Sequence, residues 1–161
     1  ARAFREAIAL RPDRPEAYYN LGAALNNSEH VVEAAQRYLE AKERYPVGSE
    51  EWAEATASAF SMLAQEACAE VAKPEWWNDE GLKVLSARVV RAAPDEMHAH
   101  QMRAIVLSGR TNKWEAGPRS AAELAEAATH FDRAAALHPA PAGKVMFAGR
   151  AAWCRATAGA V

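Results

Sequence analysis

The residues of this 161-residue chain with most scope for metal or nucleophilic chemistry are five histidines and two cysteines. His98 and His100 flank Ala99 in a short His-Ala-His run. Side chains two apart on a helix point in different directions, so this pair cannot chelate a metal by itself. A site joining it to His130, His138 or a cysteine needs convergence from distant segments. Cys68 and Cys154 sit in apolar helical patterns, where an isolated thiol behaves as a small buried hydrophobe. No G-x-G-x-x-G or phosphate loop, nucleophile elbow or H-E-x-x-H stretch occurs. Asp and Glu are scattered over what should be solvated faces, so no carboxylate pair can be assigned. The sequence therefore nominates no catalytic residue, no metal ligand and no cofactor.

The aromatic residues offer recognition rather than reaction. Tyr18 and Tyr19 are adjacent, so with Tyr18 facing a core Tyr19 projects to another side, in line with Asn26 seven residues on. Tyrosine carries an apolar body and a wet tip, which suits a half-buried spacer as well as a contact residue. Trp76 and Trp77 stand in a Pro-containing break, and Trp114 in a basic loop. Each tryptophan is open to two readings, a local anchor or a contact for a partner protein.

The elements that must position these residues are helical. Alanine, the strongest helix former, supplies 40 of the 161 residues. Nineteen basic and 21 acidic residues are mixed along the chain and leave a net charge of −2. No concentrated Lys/Arg footprint marks a nucleic-acid partner. There is no signal peptide and no apolar run long enough to span a membrane, so the expected location is cytoplasmic. The opening, ARAFREAIAL, lacks Met and starts inside a helical stripe. It reads as part of a longer chain.

Helical stripes occupy 1 to 11, 15 to 25 and 31 to 45, separated by RPDRP and NNSEH. Ser49 predicts a helix start, and the stripe through Ala55, Phe60 and Cys68 predicts a long helix to about Val71. After the break at 73 to 81, helices are expected over about 79–92, 95–108, 121–137 and 142–157, with 108–120 a loop. On the last of these, Val145, Gly149, Ala152 and Trp153 share a face and Phe147 points elsewhere. The expectation is an all-α fold in about seven pieces.

Helix-ending prolines stand at 12, 46, 94 and 139. Residues 15 to 46 resemble a tetratricopeptide repeat, whose period is 34 residues. Tyr18, the Leu21-Gly22 pair, Ala34, Tyr38, Ala41 and Pro46 match its signature positions, and Leu25 replaces a tyrosine. Gly22 is expected to face Ala34 where the two helices cross most closely. Phe4, Ala7 and Pro12 stand 34 residues before Tyr38, Ala41 and Pro46. The units read as about 1–14, 15–48, 49–94, 95–140 and 141–161 of one domain, the third with a long first helix and the fourth with an insertion of roughly 11 residues.

The resemblance implies antiparallel helical hairpins stacked into a short right-handed superhelix, and a protein-interaction scaffold rather than an enzyme. Its groove is lined by first helices, which here means Glu16, Tyr19, Ala23, Asn26 and Asn27, then Glu50, Ala53, Ala57 and Phe60, then His98, Gln101 and Ile105. The occupant would be a peptide or helix of another protein, or another part of the same parent chain. Tyr19 and Ala23 stand where the carboxylate-gripping subtype has a lysine and an asparagine, so that subtype fits poorly. Two alternatives stand beside this reading: a purely structural segment of a longer solenoid, and an enzyme or metal-binding helical domain.

Overall fold

The computed structural model describes residues 1 to 161 and contains eight α-helices, a single 3-10 turn and no strand. They are α1 (Arg2–Leu10), α2 (Pro15–Asn27), α3 (Val31–Arg44), α4 (Glu50–Leu63), α5 (Asp79–Ala92), α6 (Met97–Ser108), α7 (Ala121–Leu137) and α8 (Pro141–Ala160), with the 3-10 turn at Glu66–Cys68. The chain divides into two compact units, Ala1–Lys73 and Pro74–Val161. Within each unit the substantial helix contacts join chain neighbours, apart from α3 meeting the 3-10 turn.

Local chemistry explains most boundaries. Pro15 opens α2 at a position where its missing N–H costs nothing. The Ser49 hydroxyl accepts the Trp52 N–H to cap α4, and Asn78 does the same for α5 through Gly81 N–H. Ser120 and Glu123 form a reciprocal capping box at the start of α7. At the end of α2, the His30 N–H donates to Leu25 O and the Glu29 N–H to Asn26 O, while Glu29 takes a left-handed φ of 63°. This is a Schellman closure with glutamate in the place glycine suits best.

In the first unit, Tyr18 of α2, Ala41 of α3 and Ala55 of α4 share one apolar cluster, with Ile8 of α1 packed against it. The Pro12 carbonyl accepts from the Tyr18 hydroxyl at 2.7 Å and from Arg44 Nε at 2.9 Å, and the Arg44 guanidinium lies over the Tyr18 ring. One carbonyl thus ties the end of α1 to α2 and α3. A Cβ at position 22 would lie 2.9 Å from Cδ1 and Cε1 of Tyr38. The atoms nearest to such a Cβ belong to the Tyr38 ring, one turn along α3 from Ala34, the neighbour expected from the sequence.

The second unit is built on alanine. Ala104 and Leu107 of α6, Ala127, Ala128, Phe131 and Ala134 of α7, and Phe147, Ala151 and Cys154 of α8 form its core. Small side chains on three successive helices permit close approach, and the Phe131 and Phe147 rings stack at 6.1 Å across α7 and α8.

Two expectations are corrected. The helix from Ser49 stops at Leu63, not near Val71, because the chain breaks at Ala64 and Gln65 into a 3-10 turn whose end is held by Lys73 Nζ donating to Cys68 O and Val71 O. The buried face of α8 is Phe147, Ala151 and Cys154, with Phe147 1% and Val145 73% exposed. The apolar spacing of 4 and 3 from Phe147 is as regular as the one from Val145, and the larger aromatic side chain wins the core.

Candidate functional site

On α2, Glu16, Asn26 and Asn27 are exposed, and Tyr19 and Ala23 half-buried. Their spacing puts Tyr19, Ala23 and Asn26 on one helix face, with the Tyr19 ring 5.3 Å from that of Tyr38. The neighbouring Tyr45 phenol is pushed up to about 12 by burial and then by the negative field of Glu16 and Glu51. Burial, followed by Tyr19, raises Tyr38 to about 12 as well. Both phenols are therefore neutral donors at physiological pH.

The α4 residues assigned to the same face behave differently. Glu50 is exposed in the first turn, but Ala53, Ala57 and Phe60 are buried, Phe60 to 2%. They do not line an open trough. The alternation of alanine with bulkier residues on α4 gives burial around more than half of its circumference, and sequence spacing alone cannot tell which apolar face of such a helix is covered.

In the second unit, His98 is exposed and pairs through Nδ1 with Glu96 at 3.0 Å. Gln101 and Ile105 are half-buried. Ile105, Ser108 and Arg110 line a cavity of about 320 Å³ with Phe131 of α7 and Arg150 and Trp153 of α8.

His100 meets His130, not His98. Its Nε2 lies 2.7 Å from the Pro94 carbonyl, and its Nδ1 2.9 Å from Nδ1 of His130, whose Nε2 faces Glu126 at 3.2 Å. A carbonyl and a carboxylate only accept, so both Nε2 atoms must carry protons. The Nδ1 contact then needs one further proton between the rings. Burial first, outweighing the Glu126 hydrogen bond, holds His130 below the ordinary imidazole value and disfavours a charge on its ring. No group of three or more His, Cys, Asp or Glu side chains is arranged to hold a metal ion.

The tryptophans form a chain. The rings of Trp76 and Trp77 are 5.9 Å apart, and Trp77 meets Trp114 edge-on at 5.8 Å. Trp77 Nε1 donates to Lys113 O and Trp114 Nε1 to Asp79. With Trp114 9% exposed and both Trp77 and Trp114 committed to internal hydrogen bonds, these two are anchors of the loop at 109–120. Trp76 is half-buried at the end of the chain of rings.

Asp79 escaped the sequence reading altogether. It accepts from Arg119 through both oxygens, from Trp114 Nε1 at 3.0 Å and from the Gly117 N–H at 3.1 Å. The Arg119 guanidinium, followed by the Trp114 and Gly117 donors, holds the Asp79 carboxyl well below the usual carboxylate range despite its partial burial. The only sequence hint was an aspartate in the first turn of a capped helix; nothing local points to a partner 40 residues away. Cys68 and Cys154 are both buried free thiols whose pKa is raised by burial, which makes them poor nucleophiles.

No protein-family model matches the chain, and no curated protein matches it. No helix is long and apolar enough to cross a membrane.

Proposed function

We propose that this chain is a non-catalytic scaffold of tetratricopeptide type that binds a peptide or helix of another protein along its first helices. Tyr19, Ala23 and Asn26 of α2 are the central contacts in the first unit, with His98, Gln101 and Ile105 of α6 the corresponding residues in the second. The observation that carries the reading is serial packing: within each unit every substantial contact between α-helices joins chain neighbours. Hairpins stacked in order leave one edge of each first helix for a ligand, whereas a bundle closes that edge against a common core. The half-exposed apolar-polar face of α2 supports the same assignment, because recognition in a groove of this kind combines an apolar seat with hydrogen-bonding side chains.

A photo-crosslinking amino acid at Asn26 or Gln101, compared with one at the exposed Gln36 on α3, tests the proposal in the protein expressed in its own cells. Crosslinks to a defined partner segment from positions 26 and 101 and none from 36 are expected. Equal yields from all three positions would remove the groove.

A second reading, a structural segment of a longer solenoid with no external ligand, is favoured by one observation. Ala53, Ala57 and Phe60, the face of α4 that an open groove requires, are covered. Under that reading positions 26 and 101 crosslink only within the parent chain.

A further inference from the structure

We infer that the cavity between α6, α7 and α8 is a binding site for a small organic acid, a carboxylate carried on a planar apolar body. Two cations line it, Arg110 and Arg150, and no acidic residue does. Neither guanidinium meets a carboxylate, although Arg103, Arg119, Arg133 and Arg155 of the same unit each do. Instead both are held on aromatic rings. Arg110 stacks over Trp153 at 4.7 Å, and Arg150 lies over Phe147 at 6.0 Å. Stacking fixes the plane of a guanidinium and leaves its N–H edge to donate, the geometry that a carboxylate meets with two parallel hydrogen bonds.

The position of Arg110 is itself built. Gly109 ends α6 in a left-handed conformation, φ 64°, and the Arg110 N–H then donates to the Ser108 hydroxyl at 3.2 Å, which turns the arginine back over the cavity mouth. Ile105, Phe131 and the free part of Trp153 supply apolar walls. At about 320 Å³ the space matches the lower end of small-molecule sites. An anion here offsets two like charges that nothing else in the cavity neutralises, and an attached ring replaces water against the walls. The site shares Ile105 with the proposed peptide face of α6, but it is argued from Arg110, Arg150 and Trp153 and does not depend on the scaffold reading.

The test uses 2-naphthoate as the probe and follows the side-chain N–H signals of Arg110, Arg150 and Trp153 by NMR. Naphthoate is expected to shift all three at one saturable site. The uncharged 2-naphthamide, and the Arg110→Gln/Arg150→Gln double variant titrated with naphthoate, are expected to bind at least about tenfold more weakly. Both arginines lie at the surface, so the variant keeps its fold, and Arg133→Gln controls for removing a cation elsewhere. Equal affinity for the amide, undiminished binding by the double variant, or no saturable shift with naphthoate would each overturn the proposal. So would a peptide such as acetyl-Phe-Glu-amide shifting the three signals when naphthoate does not, which would reassign the cavity to an acidic peptide.

Discussion

In the first unit α2 and α3 meet across Gly22 and the face of the Tyr38 ring, while in the second the start of α5 is tied to the loop after α6 by Asp79 with Arg119, Trp114 and Gly117. The first junction is a matter of shape. Its strength comes from apolar contact and close approach, and it should respond weakly to pH and salt. The second is a matter of charge. Arg119 is 5% exposed in its side chain and holds its position because one carboxylate and the carbonyls of Val106 and Gly117 receive its N–H groups. Such a junction fixes a loop that has no apolar face of its own, and it depends on an ionised aspartate.

The largest test of this contrast is Asp79→Ala. It leaves the Arg119 guanidinium buried without its counter-charge, and the expected cost is about 3–5 kcal/mol. Urea unfolding should report that loss, and hydrogen exchange should show the backbone of 109–120 losing protection first. A loss under 1 kcal/mol would mean that the loop is held by the Trp77 and Trp114 rings instead.

Acid should separate the two junctions without mutation. The folded pKa of Asp79 is depressed, so its contribution is complete above the unfolded value of about 3.9 and is lost as the pH falls from there through the folded value. Stability measured by urea unfolding should fall progressively below about pH 4, while the near-ultraviolet dichroism of Trp114 in the folded protein should change only as the pH nears the depressed folded value. The contact of Gly22 with Tyr38 contains no group that titrates in this range and should persist.

Gly22→Ala examines the other junction. Crowding against Tyr38 opposes it by about 1–3 kcal/mol, and the gain in helix propensity returns up to about 1 kcal/mol, so the net effect is a modest loss. In the Tyr38→Leu background the same substitution should become neutral or stabilising, which a double-mutant cycle in thermal unfolding would detect. An additive cycle would sink the steric account.

The smallest effect is expected from Glu29→Gly, which relieves a left-handed backbone at the end of α2. A gain of about 0.5–1 kcal/mol is expected in chemical denaturation.

Where the sequence could be read, local rules governed the outcome. Pro15, Ser49 and the turn residues of 26–30 mark helix ends by their own backbone chemistry, and α7 runs over the range its stripe predicts, Ala121 to Leu137. The 109–120 loop was legible from its two glycines and its proline. What could not be read depends on distance or on a choice between equivalent faces. Alanine-rich helices such as α4 and α8 offer several apolar stripes of nearly equal strength, so spacing alone puts Phe147 on a different face from Val145 and leaves Ala53, Ala57 and Phe60 open. The Asp79 and Arg119 pair, the two facing histidines and the convergence of Arg110 with Trp153 join segments distant in sequence. No periodicity reports such meetings. Of the candidate groove, the α2 residues keep the exposure that a contact surface needs, and the α4 alanines do not.

Contacts between chain neighbours carry a kinetic consequence. Within each unit, a helix leaving the ribosome already has the partner it needs directly behind it, so little chain must be closed into a loop before a contact is made. Folding of that kind is fast and can advance one element at a time from the amino end, with few long-lived exposed surfaces for a neighbouring nascent chain to stick to.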